Sequence, residues 1–108
     1  MIELPEGAPL AEYQAYVRAL EALHGWLDAD AARNCFLMGE EVGELFAAVR
    51  KLERVAPDAP GREAGVAAVG EEIVDVMNYL LAIANRLDID VEAAFRAKNA
   101  RNQTRTWP

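Results

Sequence analysis

Glu40-Glu41-Val42-Gly43-Glu44-Leu45 and, thirty-one residues further on, Glu71-Glu72-Ile73-Val74-Asp75-Val76 decide how this chain is read. Each stretch places two carboxylates, two small or apolar residues, a third carboxylate and an aliphatic residue inside a helical pattern. On a helix, positions i and i+3 share a face one turn apart. Glu41 and Glu44 therefore point the same way, as do Glu72 and Asp75. If the two helices pack side by side, four carboxylates converge on one small volume. Like charges at that spacing destabilise a helix, so the arrangement calls for compensation. A hard divalent cation with oxygen ligands is the natural one.

The apolar pattern around these motifs gives the fold class. Hydrophobic residues make up 53% of the 108 residues, but aromatics only 7%. Alanine and leucine carry the count, a composition suited to an all-α bundle, and the length suits one domain spanning 1–108. The formal net charge of −7 and the lack of a basic patch argue against binding to duplex nucleic acid. An acidic protein that handles an anionic substrate needs a metal as intermediary. Cys35 is the one cysteine and His24 the one histidine, which excludes an intrachain disulfide and a cysteine-based zinc site. No apolar run is long enough to span a bilayer, and the N-terminus has no signal pattern. No membrane partner is expected, and the cytoplasm is the expected location.

Four helices are predicted. The first starts at Leu10, with Tyr13, Val17, Leu20, Leu23 and Leu27 at helical spacing, and frays near Gly25-Trp26. Asp28 or Asp30 caps the second, which runs from about Ala31 to Arg54 with an apolar stripe of Met38, Val42, Leu45, Phe46, Val49 and Leu52. Glu41 falls at the edge of that stripe, Glu44 a little further round and Glu40 near the opposite side. Residues 55–61 form a Pro- and Gly-containing loop. The third helix runs from about Glu63 to Leu87 on a core stripe of Val66, Val69, Ile73, Met77, Leu80, Ala84 and Leu87. Val74, Leu81 and Ile83 widen that stripe beyond one face, so a dimer sharing its core is expected. Gly70 hints at close packing near the carboxylates, and Cys35 reads as a small buried hydrophobe. His24 reads as a surface residue. Asp90 caps the fourth helix, from about Val91 to Arg101.

At this point the residues resemble a known family, the MazG-type all-α nucleotide pyrophosphohydrolases. The resemblance rests on Glu40-Glu41-x-x-Glu44, then Glu72-x-x-Asp75 leading into Val76-Met77-Asn78-Tyr79-Leu80. It continues in Ile89-Asp90-Val91-Glu92-Ala93-Ala94-Phe95, followed by Lys98 and Asn102, and in the closing Trp107-Pro108. It covers roughly Leu37 to the C-terminus. It implies a four-helix bundle completed by dimerisation, as a homodimer or a dimer of dimers. It also implies Mg²⁺-dependent hydrolysis of (deoxy)nucleoside triphosphates to monophosphate and pyrophosphate, in nucleotide-pool housecleaning, with Mn²⁺ a possible substitute. Carried over to this chain, Glu41, Glu44, Glu72 and Asp75 are the metal ligands and catalytic set. Tyr79 and Lys98 contact the phosphates, and Asn102 lies near the substrate. Trp26 is the candidate for holding the base. Lys51 stands where a cytosine-preferring subgroup has an aromatic residue. Asn78 is placed off the carboxylate side by the helical wheel.

The residue types suit that chemistry independently. Phosphoryl transfer is mostly positioning and charge stabilisation, and magnesium prefers carboxylates plus substrate oxygens and waters. A di-iron carboxylate bundle asks for Glu-x-x-His pairs, which a single histidine cannot supply. The alternative reading is a catalytically silent nucleotide-binding or helical dimerisation module.

Overall fold

Aspartates cap two of the helix starts. The Asp30 carboxylate accepts from the Arg33 N–H at 2.8 Å and the Asp90 carboxylate from the Ala93 N–H at 3.1 Å, each satisfying a donor that the first turn leaves free. The first helix is stopped by Gly25 at φ 72, a left-handed position that glycine takes without strain. The computed structural model describes residues 1–108 and is all-helical: α1 (Leu10–His24), α2 (Ala31–Glu53), α3 (Arg62–Arg86) and α4 (Val91–Thr104), with no strand.

α2 and α3 form a long antiparallel hairpin. α1 lies against α3, and α4 rests chiefly on α1. The hairpin closes tightly just beyond its loop, where a Cβ at Gly65 would come within 2.9 Å of Leu52 Cδ1. This level fixes the register. About three turns, ~3.6 residues each, back along α2 from Leu52 lead to Glu41. About three turns forward along α3 from Gly65 lead to Asp75. The two carboxylate motifs thus meet at one height because they stand equally far from the same loop.

The interior is small. Val17, Leu81 and Ala82 form its centre, with Tyr13, Met77 and Val91 packed on them. Gln14 ties the pieces together: its Nε2 donates to Asn85 Oδ1 at 3.1 Å and to the Ile89 carbonyl at 2.8 Å, while its Oε1 accepts from the Val91 N–H. The accessible surface of 8136 Å² exceeds the roughly 5,900 Å² of a compact chain of this mass. The radius of gyration, 16.6 Å, exceeds the ~13 Å expected for this length.

That openness corrects three sequence expectations. Within the predicted core stripe of α3, Val66, Ile73, Leu80 and Leu87 are 50–57% exposed; of that stripe Ala84 is buried and Met77 packs on the core, and the rest of the buried face is Leu81 and Ala82. α3 is apolar almost all round, so periodicity alone did not say which side meets α2. Gly70 has no atom within 4 Å of where a Cβ would stand; the close approach is at Gly65. Cys35 is exposed, since it falls on the outer face of α2 beside the exposed Phe36.

Candidate functional site

Glu41 on α2 and Glu72 and Asp75 on α3 each offer a carboxylate oxygen, and the three oxygens lie within 4.8 Å of one another. Glu41 and Glu72 are half-buried and Asp75 is exposed. Glu44 is exposed and stands outside this tight group, although its charge still reaches Glu72. Glu72 Oε2 is shut off from water and has no hydrogen-bond partner. An unpaired buried carboxylate oxygen is costly. Its surroundings push the Glu72 carboxyl above the usual range, first through desolvation, then through the charges of Asp75, Glu41 and Glu44 and the close approach of the Glu41 carboxylate. A divalent cation would offset the repulsion among these carboxylates and give the Glu72 oxygen a partner. The donor set, all oxygen, fits Mg²⁺ or Mn²⁺.

The crowding has a measurable consequence. A carboxyl whose folded-state pKa is raised contributes stability at low pH that is lost as pH rises through that pKa. Glu72→Gln is therefore expected to raise the melting temperature of the metal-free protein near neutral pH. The advantage should shrink as pH falls into the ordinary carboxylate range, where the wild-type group is protonated too. Melting curves in EDTA between about pH 4 and 8 check this, and added Mg²⁺ should stabilise the wild type more than the variant.

A cavity of about 550 Å³ runs from these carboxylates toward the α1–α2 connection. Its acidic half is lined by Glu41, Asp75, Asn78 and Tyr79, its inner half by Val17, Leu20, Trp26, Asn34, Leu37 and Ala82. The Tyr79 phenol is pushed above its usual value by burial, then by Glu41, Glu40 and Asp75, with Arg33 acting weakly against them. It therefore stays an O–H donor at the mouth of an acidic site. Asn78 lines the same half, which corrects its placement off the carboxylate side: it follows Asp75 by one turn and shares its face.

Trp26 lines the inner half with its ring stacked on His24, the centroids 4.5 Å apart. The connection carrying it is held by Arg86 from α3. Arg86 Nε donates to the Ala29 carbonyl at 2.8 Å and Nη2 to the Trp26 carbonyl at 3.4 Å. The same guanidinium grips Glu21 with two bonds, at 3.1 and 2.5 Å, and that pair is largely buried, with side chains 13% and 8% exposed. The Glu21 bond raises the Arg86 pKa further above its ordinary value. Asn34 is 4% exposed and donates through Nδ2 to the Ala29 and Asp30 carbonyls at 3.2 and 2.9 Å.

Lys98 and Asn102 do not line this cavity. Lys98 is exposed on α4. Asn102 donates to Asn99 Oδ1 at 3.1 Å, and its own Oδ1 is buried without a partner. Sequence reasoning missed Asn34, Glu21 and Arg86. Asn34 carried a faint signal, standing one turn before Met38 of the apolar stripe. Arg86 carried another, closing the apolar run 79–84 on a helix read as core. No protein-family model, curated protein or solved structure matches the chain.

Proposed function

We propose that this protein is a metal-dependent pyrophosphohydrolase of the MazG type, hydrolysing nucleoside triphosphates to monophosphate and pyrophosphate. The observation that carries the reading is the meeting of Glu41, Glu72 and Asp75, with an orphaned Glu72 oxygen, beside a cavity that Glu41 and Asp75 line at one end and that carries Trp26 and an aliphatic wall further in. A nucleotide has the same polarity, a charged triphosphate joined to a flat, largely apolar base. Glu41, Glu72 and Asp75, with Glu44 beside them, would hold Mg²⁺. That ion supplies the positive charge which lets a triphosphate enter an acidic site. Tyr79 donates its hydroxyl to a phosphate oxygen, and Asn78 is placed to do the same with its amide. Trp26 and the aliphatic wall receive the base.

The cations expected to meet the phosphates, Lys98 foremost, sit on α4, away from the carboxylates of the same chain. The reading therefore includes a homodimer, or a dimer of dimers, in which a second copy brings its basic α4 end to the site. Val66, Ile73, Leu80 and Leu87 recur every seven residues along α3, the spacing of a helix–helix seam. The roughly 2,000 Å² of surface beyond a compact monomer is enough for a standard interface. Ile73→Glu combined with Leu80→Glu is expected to convert the assembly to monomer in sedimentation velocity, with loss of turnover.

The decisive test is product analysis with each common NTP and dNTP, plus modified ones, in Mg²⁺, Mn²⁺ and EDTA. Monophosphate plus pyrophosphate, abolished by EDTA, is the expected outcome. Diphosphate plus orthophosphate would keep the metal site and overturn the cleavage position. The extent of exposed apolar surface favours one second reading, a helical dimerisation module that binds nucleotides without cleaving them. Metal-dependent binding with no product would support it.

A further inference from the structure

The inner half of the cavity carries more information than its apolar walls. Asn34 is buried, and both of its amide hydrogens point at backbone carbonyls, those of Ala29 and Asp30. This fixes the orientation of the carboxamide. Oδ1 faces the other way, has no hydrogen-bond partner in the protein, and belongs to a residue that lines the cavity. Three backbone N–H groups of the connection are already engaged. Gly25 N–H donates to the Ala22 carbonyl, Trp26 N–H to that of Glu21, and Ala29 N–H to that of Trp26. Asp28, on the same stretch, lines the cavity too and adds a second acceptor, its carboxylate. Its neighbour Glu21 is occupied by Arg86. Asn34 Oδ1 and the Asp28 carboxylate are thus two acceptors left open on this wall.

We propose that this inner half is a base subsite that selects nucleobases presenting an exocyclic amino group, cytosine or adenine, over their oxo counterparts uracil and hypoxanthine. Asn34 Oδ1 is the specificity-determining acceptor. The proposal rests on the nucleotide reading of the site and adds the class of base to it. An amino group placed against Oδ1 donates a hydrogen to a fixed acceptor. An oxo group in the same place sets acceptor against acceptor and leaves two buried oxygens unpaired, the kind of mismatch that discriminates strongly. Rotating the Asn34 amide to offer a donor instead would break both of its bonds to the chain, so the site does not adapt cheaply. Trp26 supplies the stacking face, which favours all bases alike. The choice therefore falls to Asn34.

The test uses nucleosides, which carry no phosphate and require no metal, so it is independent of whether the protein cleaves triphosphates. The chain has two tryptophans. Trp107→Phe leaves Trp26 as the sole reporter. Cytidine against uridine, and adenosine against inosine, are titrated in EDTA while Trp26 fluorescence is followed. Half-maximal quenching by the amino member at about tenfold lower concentration or less, in both pairs, is the expected result. Equal quenching, or preference for the oxo member, overturns the proposal. So does the absence of quenching by all four, an outcome that leaves the triphosphate reading to its own product analysis. Asn34→Leu, checked for helicity by circular dichroism, should erase the preference while leaving quenching in place. A folded variant that keeps the preference removes Asn34 from the role. If the variant does not fold, the wild-type comparison decides alone.

Discussion

Asp75→Asn or Glu41→Gln is expected to lower Mg²⁺-dependent triphosphate turnover by about a thousandfold or more, a loss of roughly 4 kcal/mol in transition-state stabilisation. Each substitution keeps the size of the side chain and removes one charge from a group whose oxygens lie within 4.8 Å of two others. Three carboxylates at that distance would hold a divalent ion because each contributes charge as well as a lone pair. An amide contributes only the weaker half of that. The fold should survive, since none of the three makes a hydrogen bond or ion pair that the helices need, and relief of repulsion offsets whatever packing is lost. Steady-state kinetics with and without Mg²⁺, alongside circular dichroism and sedimentation, separates the two effects. Full activity in either variant would remove that residue from the ligand set. Calorimetric titration with Mg²⁺ alone gives a second readout and should show the affinity falling in parallel.

The other large effect is expected at Arg86. Its guanidinium is the only cation paired with the buried Glu21, and it also bonds the Ala29 and Trp26 carbonyls. Arg86→Met strands a carboxylate in a site with little access to water and removes one bond from each of the two carbonyls, which keep Asn34 and the Ala29 N–H as partners. Breaking one half of such a pair costs about 3–5 kcal/mol, a large share of the stability of a small domain, which is of the order of 5–15 kcal/mol. Urea denaturation should show the loss directly. The double variant Glu21→Met with Arg86→Met should recover much of it, because two apolar side chains strand no charge. If Arg86→Met costs under about 1 kcal/mol, the magnitude of an exposed pair, the pair is not the clamp described here. The same substitution loosens the connection that carries Trp26, so a change in Trp26 emission should accompany the loss even well below the denaturation midpoint.

What the sequence made legible follows from how local each signal is. Asp30 and Asp90 act within three residues of themselves, and the Pro- and Gly-bearing loop is self-contained; the helix bounds came out within about two residues except at the end of α4, which runs three further. The convergence of Glu41, Glu72 and Asp75 was legible as well, because an antiparallel hairpin with a short loop leaves little choice of register. The rest was written in contacts between distant residues. Glu21 and Arg86 are 65 residues apart in sequence, and neither stands out from an ordinary helix surface. Asn34 reads as one more polar residue near a cap until the Ala29 and Asp30 carbonyls are seen to fix it. The orientation of α3 was hidden for another reason: a helix apolar well beyond one face has no single stripe to declare its inner side, so Ile73 and Leu80 were assigned, with Ala84, to a core that Ala84 shares with Leu81 and Ala82. Lys98 and Asn102 stand in the expected order along the chain, but order does not say whose carboxylates they approach.

The shared level of Glu41 and Asp75, set by the Leu52–Gly65 contact, makes the two halves of the hairpin unequal in what they tolerate. Residues added to the connection between α2 and α3 bulge outward and leave the heights of both motifs alone, at a closure cost that grows only slowly with length. A single residue inserted between Glu41 and Leu52 does something different. It turns everything before it by about 100° and lifts it by about 1.5 Å, carrying Glu41 away from Glu72 and Asp75 without disturbing a single helix-forming residue. Lengthening residues 54–61 is thus expected to leave the site intact, while a residue added between either carboxylate motif and that loop is expected to take it apart.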